Sequence, residues 1–259
     1  MIVYFHLRQT DQKGIMSRYD LITRRTAIAD LGKAGLAVMV FGAAACSREQ
    51  PVTATTQLAD PESATEWERV VLGNVSAYIL YRSGEAALVD TGNPGSEQAI
   101  EASLADVGLG WDSVGHVILT HNHGDHIGSL GAVVTAAPDA EYYAGLPDAP
   151  AMTEFVTPIP IATGDKVFDL DVIETPGHTP GHTSILDSNA KVLVAGDALF
   201  NINGDLAVSL PQFTENQTAA SSSVKVLAQL QYDTALFGHG DPILTDASQA
   251  VAALAAGAS

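Results

Sequence analysis

The stretch HVILTHNHGDHIG, residues 116–128, joins a short apolar run that reads as a buried strand to a loop holding His121, His123, Asp125 and His126 within six positions. Three later segments repeat the arrangement. VIETPGHTPGH presents His178 and His182, KVLVAGDALF presents Asp197, and TALFGHGDP presents His239. In each, a glycine lets the backbone turn tightly between the apolar run and the imidazole or carboxylate. A fold that accommodates all four brings strand ends together at one sheet edge, where they hold several side chains rigidly. Taken alone, the first cluster could be a polar surface loop; the later segments favour one shared site.

The residue types suit a metal. Neutral imidazole and carboxylate are good zinc ligands, and a single cysteine excludes both an intrachain disulfide framework and any multi-cysteine zinc site. His121 and His123, two apart in an extended loop, can face one metal position. Asp125 and His126, beyond a turn expected at Gly124, can face a second, and an aspartate from elsewhere can bridge the two.

The order His-x-His-x-Asp-His, then a lone His, an Asp and a final His, resembles the metallo-β-lactamase superfamily of hydrolases. LVDTG, residues 88–92, resembles that family's early strand and turn, in which Asp90 supports the metal loop from behind the ligands. The resemblance covers roughly residues 68–245. It implies an α/β (α+β) fold, a four-layer αββα sandwich of two mixed sheets flanked by helices. It also implies that His121, His123 and His178 bind one metal, that Asp125, His126 and His239 bind the second, and that Asp197 bridges. The implied cofactors are two zinc ions, with iron or manganese as alternatives. His182 is expected to hydrogen-bond behind the ligands, and His116 to be structural.

The resemblance further implies a metal-dependent hydrolase in which a hydroxide shared by the two ions attacks a carbonyl carbon, with Asp125 orienting it or taking its proton. No serine-hydrolase elbow G-x-S-x-G is present. The closest patterns are glyoxalase II-like thioesterases and lactonases. Only 20 residues follow His239, too few for the helical extension that glyoxalase II-like enzymes use to recognise glutathione. The expectation is therefore a carboxylic ester or lactone hydrolase with a small, open pocket. Thioester or β-lactam hydrolysis, a diiron redox protein and a non-catalytic binding protein are the alternatives. Tyr142 and Tyr143 are candidate oxyanion donors or strand-packing residues.

Ahead of the domain, residues 1–46 differ from the rest. Arg24 and Arg25 precede an apolar run from Gly35 to Ala45, too short to span a bilayer, and then Cys46. The segment resembles a twin-arginine export signal with a lipobox, although Ala43 stands where leucine is usual; an N-terminal amphipathic helix is the alternative. Met16 is a second candidate start. Export across the membrane, with a lipid anchor at Cys46, is the expected localisation. Residues 47–65 read as a polar tether, and 66–259 as the catalytic domain. With the first 46 residues set aside, 27 acidic and six basic residues remain, a net charge of −21. Such a surface repels nucleic acid and anionic membranes and leaves a small molecule as the expected partner. Scarce lysine beside abundant aspartate suggests a high-salt habitat, with ordinary acidity as the alternative.

Apolar runs predict strands at 77–81, 86–90, 116–120, 140–144, 167–174, 183–187, 191–195 and 234–238. Helices are expected at 96–110 with Ser96 as N-cap, and near 128–136, 215–231 and 244–256.

Overall fold

The computed structural model of the chain describes residues 64–257; the export segment with Arg24, Arg25 and Cys46, and the tether up to residue 63, lie outside the described residues. The first sheet begins with β1 (Glu66–Leu72), antiparallel to β2 (Val75–Arg82), which turns through Ser83 and Gly84 into β3 (Glu85–Val89). Both turn residues have positive φ, as a two-residue hairpin matching the strand twist requires. Parallel strands β4 (Val114–Leu119), β5 (Glu141–Gly145) and β6 (Ile159–Ile161) complete six strands in sequence order. Helix α1 (Glu97–Asp106) connects β3 to β4, while α2 (Gly124–Ile127) and α3 (Leu130–Ala136) connect β4 to β5.

A second sheet contains β7 (Lys166–Val167), β8 (Leu170–Glu174), β9 (Thr183–Asp187), β10 (Val192–Gly196) and β13 (Thr234–Phe237), in the order β13-β10-β9-β8-β7. Strands β11 (Leu199–Ile202) and β12 (Asp205–Val208) make a separate hairpin, and α4 (Gln217–Leu227) and α5 (Ala247–Gly257) complete the fold. Among the described residues, no helix is long and apolar enough to cross a membrane.

Side-chain alternation along the strands builds the layers. Ile79, Leu88, Val117 and Leu119 face Ile100 and Leu104 of α1 and Leu130 and Val133 of α3. Their neighbours Tyr78, Leu80, Val89 and Ile118 point the other way and meet Val172, Ile185, Val194 and Leu236 of the second sheet. The outer face of that sheet packs Leu193, Ala235 and Phe237 against Val224, Leu227 and Val251 of α4 and α5. The result is the expected αββα sandwich, with β4 and β10 buried on both faces.

Several local expectations are corrected. The run 167–174 is not one strand: Val167 pairs with Leu170 across a two-residue turn, with Phe168 and Asp169 at φ 54° and 57°. Arg82 fixes this turn. Its guanidinium lies 4.3 Å from the Phe168 ring centroid and donates to the Phe168 carbonyl (2.8 Å) and the Asp169 carboxylate (2.9 Å). Ser96 occupies the N-cap position of α1 but makes no side-chain cap; its N–H donates to Ser129 Oγ (2.7 Å), tying α1 to the turn before α3. Strands β1, β6, β11 and β12 were not foreseen.

The layered core predicts contrasting costs. Leu236→Ala, in the buried layer between the sheets, should lower stability to urea by about 2–5 kcal/mol, whereas Val71→Ala, on exposed β1, should change it by less than about 0.5 kcal/mol.

Candidate metal centre

The ends of β3, β4, β8, β10 and β13 meet at one edge of the sandwich and carry the motif residues. Cross-sheet hydrogen bonds lock that edge. Thr183 N–H donates to the Thr120 carbonyl (2.9 Å) and Ser76 N–H to the Gly238 carbonyl (2.9 Å). The Tyr78 hydroxyl donates to the Phe237 carbonyl (2.7 Å). The loop bearing His121 and the turn bearing His239 are therefore held by both sheets.

Asp90 organises the first loop. It is buried at φ 63°, a left-handed conformation that aspartate tolerates, and its carboxylate accepts from Thr120 N–H (2.8 Å), Thr120 Oγ1 (2.8 Å) and His126 Nδ1 (2.7 Å). The turn expected of Gly124 is made differently. Gly124 opens α2 without positive φ and with open space around its Cβ position. The His123 carbonyl accepts from His126 N–H (2.9 Å) and Ile127 N–H (3.0 Å), so the start of α2 turns the loop and sets His126 beside His121, with ring centroids 4.1 Å apart.

All seven expected side chains converge. His121 Nε2, His123 Nδ1 and His178 Nε2 lie 2.8–3.2 Å from one another. Asp125, His126 and His239 form a second group, with His239 Nε2 3.3 Å from Asp125 Oδ2. Asp197 stands between them: Oδ2 is 3.3 Å from both His178 Nε2 and His239 Nε2, and Oδ1 is 3.3 Å from His126 Nε2.

The outer ring nitrogens decide which way the lone pairs point. Thr120 Oγ1 spends its proton on Asp90, so it accepts from His121 Nδ1. Thr214 Oγ1 donates to the Leu210 carbonyl, so Ser209 Oγ donates to Thr214 and accepts from His178 Nδ1 (2.7 Å). His126 Nδ1 donates to Asp90, and His239 Nδ1 to the Asn74 carbonyl (2.6 Å). Four imidazoles thus turn a basic Nε2 inward. The inner atoms His126 Nε2 and Asp197 Oδ1 are buried without a hydrogen-bond partner. A cluster of converging lone pairs with orphaned buried acceptors is the arrangement a cation satisfies, so the residues present fit a divalent metal pair.

The electrostatics agree. Burial holds the His121 imidazole well below its ordinary value and lowers His178 to about 4, so both are neutral donors. Burial opposes charge on Asp197, but His126 and His239 outweigh it and keep the carboxylate ionised. At His239 burial also opposes charge, yet Asp125 and Asp197 raise the imidazole to about 10. Without a metal, protons supply the positive charge those carboxylates require.

His182 touches neither group directly but positions Asp197. Its Nε2 accepts Asp197 N–H (3.0 Å), while Nδ1 starts a buried chain through Thr175 Oγ1 and Ser184 Oγ to the Ala195 carbonyl. Burial lowers His182 to about 3, so it stays a neutral acceptor. Two glycines make room here. Gly196, at φ 55°, would place a Cβ 2.8 Å from His182 Nε2; a Cβ on Gly238 would fall 2.0 Å from Asp197 Oδ1.

The centre floors a cavity of about 980 Å³, larger than the small pocket expected. Its wall comes from the unforeseen β11–β12 hairpin and the segment after it, through Phe200, Ile202, Leu210 and Phe213. Phe200 stacks on His239, with ring centroids 5.3 Å apart and 7° between planes. The Asn203-Gly204 pair, both at positive φ, is the sequence signal that could have revealed this hairpin. Tyr142 and Tyr143 take the packing role: the first donates to the Val133 and Ala137 carbonyls, the second to Glu141, and neither lines the cavity. His116 packs between Tyr143 and Phe168, away from the centre.

Comparisons with known proteins agree with this architecture. Over 197 residues the chain is 32% identical to the uncharacterized protein YobT of Bacillus subtilis, covering 64% of this chain and 83% of that one. It is 33% identical to a hydroxyacylglutathione hydrolase of Hahella chejuensis over 46% of this chain, spanning 44% of that enzyme. A metallo-beta-lactamase family protein from Thermus thermophilus superposes with a TM-score of 0.58 at 27% identity, covering 74% of this chain and 78% of that one. Residues 70–239, from β1 to the last histidine of the centre, match the profile of the Metallo-beta-lactamase superfamily. With its αββα layers and the convergence of all seven motif residues, the chain belongs to the metallo-beta-lactamase superfamily, whose members are generally metal-dependent hydrolases.

Proposed function

We propose that this protein is a dinuclear zinc hydrolase that cleaves a carboxylic ester or lactone. The observation that carries the reading is the inward Nε2 of four imidazoles around Asp197, at the floor of a cavity with an apolar wall. His121, His123 and His178 would hold one ion and Asp125, His126 and His239 the other, with Asp197 between the two groups. When bound, the ions supply Lewis acidity for the carbonyl and acidify a water.

The chain's own groups do the rest. Asp125 lines the cavity and is only half-buried; its hydrogen bond with His239 holds its carboxyl below the usual range. It is therefore ionised at neutral pH and placed to orient the attacking water or accept its proton. Phe200 holds the His239 ring flat and keeps that side of the floor dry. The likeness to a hydroxyacylglutathione hydrolase favours thioester hydrolysis as a second reading. Export outside the cytoplasmic membrane is part of this proposal, supported by the Arg24-Arg25 and Cys46 pattern in the sequence, with residues 66–259 as the catalytic unit.

A hydrolysis panel of lactones, aryl esters, thioesters, phosphodiesters and β-lactams, run beside metal analysis, tests the proposal. We expect about two zinc ions per chain and turnover of an ester or lactone; iron with a visible absorption band would instead indicate redox chemistry. His121→Ala should abolish the activity, and full retention of turnover would refute the assigned chemistry.

Asp197→Asn should lower metal occupancy as well as rate, because two cations then face each other with less negative charge between them. Elemental analysis after dialysis reads this directly, and unchanged occupancy would count against the bridge.

Asp90→Asn should keep the fold, since asparagine tolerates the same backbone conformation, but weaken zinc retention by about 10–100-fold in a chelator competition.

A further inference from the structure

Among the described residues outside the seven of the centre, the only charged side chains lining the cavity are Glu215 and Asp241, both acidic. The described residues contain five lysines and arginines, and none lines it. Arg69 comes nearest, but it is already spent: it donates to Asp241 Oδ1 (3.0 Å), the Gly240 carbonyl (2.7 Å) and Ser76 Oγ (2.9 Å). Arg82, Lys166 and Lys191 pair with Asp169, Asp171 and Asp233, and Lys225 lies on the exposed face of α4.

Part of the wall is apolar and open to solvent, although Glu215 stands two residues beyond Phe213 on the same segment. Ile202 is 44% exposed and Phe213 58% exposed, and with Phe200 and Leu210 they form a continuous flank running up from His178 and His239. Large apolar side chains left exposed around a cavity signal a ligand that covers them. The polar side chains lining the cavity that carry no charge are Asn74, Asn203, Gln212 and Thr214.

From this we infer that the substrate is an uncharged amphiphile: an ester or lactone whose acyl portion is an apolar chain lying on Phe200, Ile202, Leu210 and Phe213, and which carries no carboxylate. The inference rests on the proposed hydrolase reading of the same site. Among the described residues a carboxylate on the substrate would find no free side-chain cation on the cavity wall, would approach Glu215, and would do so against the field of a strongly acidic chain, while Asp241 is already paired with Arg69. Penicillin-like β-lactams and glutathione thioesters both carry carboxylates and are disfavoured for that reason.

The test uses matched pairs on the metal-loaded protein: a hexanoyl aryl ester against the same ester ending in a carboxylate, with kcat/KM measured at low and high salt. We expect the neutral ester to be favoured by about tenfold or more, with the gap narrowing as salt screens the acidic rim. Phe213→Ser should reduce the gain in kcat/KM from lengthening the neutral acyl chain. A parallel pair of alkyl-linked fluorophores, one neutral and one carboxylated, is titrated by anisotropy, and the neutral probe should bind more tightly. Equal or better use of the carboxylated ester, or tighter binding of the carboxylated probe, overturns the inference. If no ester or lactone is turned over, the hydrolase reading fails, and the anisotropy pair still decides whether this cavity selects uncharged apolar ligands.

Discussion

The Asp90 carboxylate, buried at the end of β3, accepts from the backbone and hydroxyl of Thr120 and from the ring of His126. A buried carboxylate with fewer partners would be costly, so these contacts stand or fall together. Through Thr120 they set the ring of His121, and directly they set that of His126. One residue therefore orients a donor in each half of the centre while lying behind both. The left-handed backbone at Asp90 is the local cost of turning its side chain back under the loop rather than onward with the strand.

The same logic extends around the site. Outer nitrogens give their protons to Thr120, Asp90, Ser209 and Asn74, and so turn Nε2 of each ring toward the centre, where a proton or a cation can be held. His182 inverts the pattern, accepting from the Asp197 backbone instead of facing the centre, and so fixes where the middle carboxylate starts. The result is a cluster of closely spaced ligand atoms from distant parts of the chain. It is held together by partners that both sheets supply.

The two walls of the cavity have different origins and different chemistry. The floor comes from strand ends locked into the sandwich. The apolar flank comes from the β11–β12 hairpin and the following segment, where Ile202 and Phe213 remain exposed. A rigid polar floor beneath an exposed apolar wall separates the reaction from recognition. Chemistry can stay constant while the hairpin decides what fits.

Much of this was legible in the chain. The apolar runs at 77–81, 183–187 and 234–238 read as strands because both of their faces are buried. The ligand residues were legible because each follows such a run at a tight turn. What misled were features set by distant contacts: the break at Phe168-Asp169 depends on Arg82, Ser96 is used by Ser129, and α2 rather than Gly124 turns the first loop. By itself the sequence determined the short apolar strands and the His- and Asp-bearing turns that follow them, because strand periodicity and residue chemistry are local properties; the sandwich and the seven-residue set were implied by the family resemblance. Only the tertiary structure decided which nitrogen of each histidine points inward and which side chains line the cavity above the centre, because both depend on partners far away in sequence.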